Sequence, residues 1–305
     1  MKITVFGGAG FLGSHVCDRL TTVGHEVTIF DLKPSPWLKP GQTMLTGNIL
    51  DEDAVSDACA GAEVIYNFAG IADIGEADRS PVATAKYNFL GTVLSLEAAR
   101  KAKVKRYVFA STLYVYSQDG GFYRCSKQAC ELYIENYQRA FGLDYTILRY
   151  GSLYGPRSDS RNAIYRFVRE ALENGRISYF GHPTALREYI HVEDAAAASE
   201  EILAPEYANQ NIVLAGHQPM RVKDLLKMIA EMLGKPLEFD FLGEDQTGHY
   251  EITPYSFSPK IGKKMTPYLS VDLGQGILRV IEDVHRELNP DLTTVHGVLV
   301  PKDDD

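Results

Sequence analysis

Short apolar, β-branched runs alternate with amphipathic stretches over the first half of the chain. Lys2–Phe6 (KITVF), Glu26–Phe30 (EVTIF), Thr43–Thr46, Glu63–Asn67 (EVIYN) and Arg106–Ala110 (RYVFA) have the length and composition of buried strands. Between the first two, Leu12, Val16, Leu20 and Val23 recur at three- and four-residue steps, which predicts a helix that Gly24 stops. Further helices are predicted over 51–60, over Pro81–Ala102 with proline in the first turn, and from Phe122 to Phe141. Lys33–Gly41 carries three prolines and reads as an exposed loop. Strands and helices alternating in this way predict an α/β fold with a doubly wound parallel (Rossmann) sheet, whose ligands lie outside the carboxyl ends of the strands.

The first such strand end holds Gly7-Gly8-Ala9-Gly10-Phe11-Leu12-Gly13, with Gly7, Gly10 and Gly13 at a G-x-x-G-x-x-G spacing. Gly7 permits a sharp turn off the strand, Gly10 admits a pyrophosphate close to bare backbone, and Gly13 lets the helix pack tightly. A phosphate beside Phe11 and Leu12 would meet free N–H groups at a helix N-terminus. Asp31 ends the second strand, eighteen positions after Gly13. An acid there accepts hydrogen bonds from the ribose hydroxyls and repels a 2′-phosphate, so the expected cofactor is NAD. The fourth strand ends in Phe68-Ala69-Gly70, small residues where the chain would pass close to that cofactor.

Strand five runs into Thr112, and Tyr123 and Lys127 follow on one face of the next helix, one turn apart. A phenol with a pKa of about 10 is a weak base at neutral pH. Bringing it to roughly 7 takes about 4 kcal/mol, within reach of two nearby cations in a sheltered cleft. Thr112 could bridge to the same substrate oxygen.

Composition narrows the partners. The 305 residues carry a net charge of −9 and no extended basic tract, which disfavours nucleic acid. No apolar run approaches the roughly 18 residues of a membrane span. The N-terminus is itself the first strand, so a cytoplasmic protein without a secretory leader is expected. The four cysteines show no C-x-x-C spacing and the eight histidines no H-x-x-x-H pair, so no metal site is expected.

Taken together, the glycine loop, Asp31, Thr112 and Tyr123-x-x-x-Lys127 resemble the extended short-chain dehydrogenase/reductase family, in particular its nucleotide-sugar epimerases and dehydratases. Leu148–Arg157 (LRYGSLYGPR) is similar to the family's "RYFNxYGPR" segment, and Arg187–Asp194 (REYIHVED) to its "RDFIYVDD" segment. The resemblance implies that Asn48, Ile49, Phe68, Ala69, Gly70, Asn88, Tyr150 and Lys127 line the NAD site. It makes Thr112, Tyr123 and Lys127 the catalytic set. Asn162 and Arg187 would hold the substrate's diphosphate, Ser152 stands where the family has asparagine, and His249 stands in for a C-terminal arginine.

Family dehydratases carry Asp-Glu directly after the catalytic threonine, and the decarboxylases a glutamate two positions after it. Here those places hold Leu113 and Tyr114, and the link from Thr112 to Tyr123 is short. The implied activity is therefore epimerisation of a nucleotide-diphosphate sugar at C4, with a net C4 oxidoreductase or a dehydratase as the alternative.

The resemblance also implies two interleaved domains: an NAD-binding one over 1–160 plus about 186–208, and a smaller α/β substrate-binding one over about 161–185 and 209–290. In the latter, helices are predicted over Asn162–Asn174, Val222–Leu233 and Ile277–Leu288, and a strand over Ile177–Phe180, while Glu193–Leu203 is a helix returning to the first domain. Residues 291–305 read as an acidic tail. Helices Pro81–Ala102 and Phe122–Phe141 would pair in a homodimer.

Overall fold

A computed structural model describes residues 1–217, 219–242, 263–265, 270–290, 292–295 and 298–301. Strands β1 (Lys2–Phe6), β2 (Glu26–Asp31), β3 (Gln42–Thr46), β4 (Val64–Asn67), β5 (Arg106–Thr112) and β6 (Asp144–Tyr150) form the core of an eight-stranded sheet. Its order is Lys263–Met265, Gln210–Leu214, β6, β5, β4, β1, β2, β3, with every neighbouring pair parallel. The fold is a doubly wound α/β sheet. β1 lies between β2 and β4, so chain order reverses beside it and the crevice opens at its carboxyl end.

The helices are α1 (Phe11–Thr22), α2 (Glu52–Cys59), α3 (Ile74–Arg79), α4 (Pro81–Thr84), α5 (Gly91–Lys101), α6 (Gly121–Phe141), α7 (Ala163–Asn174), α8 (Val192–Glu201), α9 (Val222–Leu233) and α10 (Leu273–Leu288). Val16, Cys17 and Leu20 of α1 and Ala195, Ala196 and Ala198 of α8 cover one sheet face. Val55 of α2, Leu96 and Ala99 of α5, and Cys130 and Ile134 of α6 cover the other. A third core joins Phe167 and Val168 of α7, Leu225 and Ile229 of α9, and Ile277 and Val280 of α10 around Tyr154.

Three features depart from the sequence expectation. The helix expected over Pro81–Ala102 is α4 and α5 joined by a π-helical turn, Ala85–Leu90, which holds the buried Asn88. Such turns recur at functional sites. The periodicity assigns nothing to β6, yet it lies in the middle of the sheet. Its Arg149 conceals a central strand, and the structure buries that arginine by pairing it with Glu131. Where a tail was expected, Leu292–Val295 and Val298–Pro301 pair antiparallel. Among the described residues no helix is long and apolar enough to cross a membrane, and no group of three or more His, Cys, Asp or Glu could hold a metal.

Candidate active site

The loop after β1 is built around missing side chains. Gly7 has φ +76°, and a Cβ there would stand 2.6 Å from the Ala69 nitrogen, against the chain leaving β4. A Cβ on Gly13 would overlap the Gly7 carbonyl, so this glycine seats α1 on the loop rather than on the sheet. At Gly10 a Cβ would meet only the Gly7 oxygen, at 3.3 Å. The protein itself barely excludes a side chain there, and the open approach suits a ligand. Gly10 is also the N-cap of α1, with no side-chain cap, so the N–H groups at Phe11 and Leu12 point out of the first turn unclaimed by a capping side chain. Asp31 closes the cradle: its Oδ2 accepts the Ala9 N–H at 3.0 Å, which fixes the carboxylate at the end of β2. A bare-backbone anion cradle beside a positioned carboxylate fits an adenosine dinucleotide lacking a 2′-phosphate.

Around this cradle, Asn48 Oδ1 accepts the Leu50 N–H at 3.0 Å, and Ile49 is buried against Gly91. Phe68 stacks on Tyr66 with ring centroids 5.9 Å apart. Gly70 has φ +142°, and a Cβ there would run into Asn88. Asn88 spends its amide on the protein. Oδ1 accepts the Ile71 N–H at 2.6 Å, and Nδ2 donates to Ile71 O at 2.9 Å and to Ser126 Oγ at 3.0 Å. It clamps the loop leaving β4 onto α6. Tyr150 sits opposite Thr112 in the β5–β6 register, and its hydroxyl lies 2.6 Å from Ser199 Oγ on α8.

The catalytic set expected from sequence converges at the end of β5. Thr112 caps a 3-10 turn, Leu113–Tyr116, its side chain accepting the Tyr114 N–H at 3.3 Å, and Tyr123 stands in the first turn of α6. Lys127 is buried, donates to Ala110 O at 2.8 Å, and lies 4.7 Å over the Phe109 ring and 5.8 Å from the Tyr123 ring. Burial pushes the Tyr123 phenol up to about 12, only partly offset by Thr112, and pushes the Lys127 ammonium down to about 8. Among the protein's own groups, desolvation outweighs the help expected from Lys127.

These elements are held by a buried network that motif reading misses. Arg149 Nε and Nη2 grip Glu131 Oε1 and Oε2 at 3.0 and 2.7 Å, Ser111 Oγ donates to Glu131 Oε1 at 2.5 Å, and Arg149 Nη1 donates to the Tyr116 hydroxyl. Glu131 stands four positions after Lys127, which is the one signal in the sequence that could have pointed to it.

The profile of the NAD dependent epimerase/dehydratase family matches residues 3–215, well over half the chain. The chain belongs to this family. NAD is accordingly its cofactor, and the enzyme is of the extended short-chain dehydrogenase/reductase type. It is 28% identical over 303 residues to a Methanocaldococcus jannaschii protein with an unproven assignment as UDP-glucose 4-epimerase, covering 92% of this chain and 97% of that one. It is 31% identical over 244 residues to the UDP-N-acetyl-alpha-D-glucosaminuronate decarboxylase of Bacillus cytotoxicus, covering 71% and 75%. The crystal structure of Thermotoga maritima UDP-glucose 4-epimerase with UDP-glucose superposes with a TM-score of 0.81 at 26% identity, over 95% of this chain and all of that one.

Beyond β6, Ser152 begins a short strand, Ser152–Tyr154, that pairs with Tyr189–His191. Asn162 is the N-cap of α7: Oδ1 accepts the Ile164 and Tyr165 N–H groups, and Nδ2 donates to Leu153 O at 2.8 Å. That is a structural use of both ends of its amide. Arg187 is buried, and its Nη1 donates to Leu186 O at 2.8 Å. Asp194 of the same motif ties Ser270 and Val271 to α8. His249 lies outside the described residues.

Proposed function

We propose that this enzyme epimerises a nucleotide-diphosphate sugar at C4 through a transient 4-keto intermediate. The observation that carries the reading is Lys127, buried one turn after Tyr123 on α6, 5.8 Å from its ring and bonded at 2.8 Å to Ala110 O of β5, the strand that ends in Thr112. Thr112 orients the C4 hydroxyl, and Tyr123 takes its proton and later returns it. NAD, when bound, supplies a hydride acceptor and, once reduced, a hydride donor. Lys127 would hold the nicotinamide ribose, and Arg187 the substrate's diphosphate, for which a guanidinium fork is apt.

Some relatives eliminate water or carbon dioxide, which calls for a further acid or base beside the threonine. Leu113 and Tyr114 stand there in this chain, so retention of the sugar's atoms is favoured. Purified protein is expected to equilibrate UDP-glucose or UDP-glucuronic acid with the C4 epimer without added reductant and without net absorbance change at 340 nm. Stoichiometric reduced cofactor or a lasting keto product would favour the oxidoreductase or dehydratase instead.

The same reading makes the protein a cytoplasmic homodimer. All four cysteines are free, as a reducing compartment keeps them. Val82 of α4 is 68% exposed, and Leu132 and Phe141 of α6 are 63% and 56% exposed, an apolar surface suited to a second copy. Light scattering should give about twice the 33.9 kDa chain mass, and Leu132→Glu should halve it. A wild-type chain at single mass removes the dimer.

A further inference from the structure

Tyr123 stands in the first turn of α6, and the chain that delivers it is short. Thr112 is followed by the 3-10 turn Leu113–Tyr116, by Ser117, Gln118 and Asp119, and then by Gly120 and Gly121 at φ +91° and +47°. Gly120 is the N-cap and supplies no side-chain hydrogen bond. The first-turn N–H groups of a helix need partners from elsewhere. One comes from α3: Asp78 Oδ1 accepts the Phe122 N–H at 3.0 Å. Gly121 makes room for it, since a Cβ there would lie 2.7 Å from the Asp78 carboxyl carbon.

We propose that Asp78 is a positioning residue for Tyr123, capping α6 from outside and replacing the support that a longer Thr112–Tyr123 link would give. Asn88 fixes the loop after β4 at Ile71, Asp73 caps α3 by accepting the Glu76 N–H at 2.6 Å, and Asp78 at the far end of α3 closes onto α6. The cofactor-side loop and the catalytic tyrosine are thereby joined through one short helix. From within α6, Ser126 Oγ donates to Tyr123 O at 2.7 Å and accepts from Asn88. Among the described residues, only Asp78 accepts the N–H of the residue directly before the tyrosine. A carboxylate also suits the positive end of a helix.

The inference rests on Tyr123 being the proton-transferring group, so its test has a readout that needs no turnover. In wild-type protein loaded with NAD, hydrogen exchange of the Phe122 amide is expected to be slow. In Asp78→Ala it should quicken by at least tenfold, with NAD affinity unchanged within about twofold. With UDP-glucose as probe, kcat should fall on the order of tenfold to a hundredfold, as for a slightly misplaced catalytic group. Asp78→Asn keeps an accepting oxygen and should restore both readouts. Gly121→Ala should mimic Asp78→Ala and add little to it in the double variant, since both remove one contact. Unchanged Phe122 exchange in Asp78→Ala overturns the proposal, and so does loss of NAD affinity in step with the exchange. Slow wild-type exchange with no wild-type turnover of UDP-glucose counts against the substrate reading and leaves the positioning to be decided by exchange alone.

Discussion

Tyr123→Phe is expected to lower turnover by on the order of 10²–10⁴-fold while NAD still binds, because the ring stays and only the proton-transferring oxygen is removed. The Gly7–Gly13 cradle and Asp31, proposed here to bind the dinucleotide, are not touched by the substitution. The pH profile adds a sign. The proposed active form is the phenolate, and burial pushes the Tyr123 phenol up to about 12, so the protein alone leaves little of it at neutral pH. Turnover should therefore rise with pH from neutral into the alkaline range, and the plateau should begin below 12 only by as much as the bound nicotinamide's positive charge lowers the phenol. Thr112→Val removes the hydroxyl that acts to lower the phenol and should move the profile to higher pH. A Tyr123→Phe variant within a few-fold of wild type, or a rate falling as pH rises from 7 to 9, contradicts the assignment.

Glu131→Ala should cost about 3–5 kcal/mol of stability, the usual consequence of leaving one member of a buried ion pair alone. Arg149 has only 3% of its side chain exposed and loses both carboxylate contacts, and Ser111 loses its acceptor. The pair also joins β5, α6, β6 and the 3-10 turn, the elements that carry Thr112, Tyr123, Lys127 and Tyr150. Activity should fall with stability, whereas Asp78→Ala should affect activity far more than stability. Chemical denaturation measures the difference, and a loss under 1 kcal/mol would mean that the network is not what holds these elements together.

The cradle and the sheet were legible because they rest on local rules: glycine where a Cβ cannot fit, apolar runs for parallel strands, and an acid at a strand end. The Tyr123–Lys127 spacing was legible for the same reason, since one helical turn fixes it. β6 was not, because Arg149 offends a buried-strand pattern until Glu131, eighteen residues away, cancels its charge. Nor was Asp78, an ordinary exposed acid in sequence whose partner amide is 44 positions on. Asn162 and Asn88 show the reverse case. Motif position pointed both at ligands, and the structure finds their amides engaged by a helix cap, a neighbouring carbonyl and a loop. Long-range pairing decides what a polar side chain does, and periodicity carries none of it.

The most direct test of transient oxidation is the fate of hydrogen at C4. UDP-glucose or UDP-glucuronic acid bearing deuterium at C4 should give a product with inverted configuration and the deuterium still on C4, with no net change at 340 nm. Deuterium lost to water, or reduced cofactor accumulating one for one with product, would contradict it.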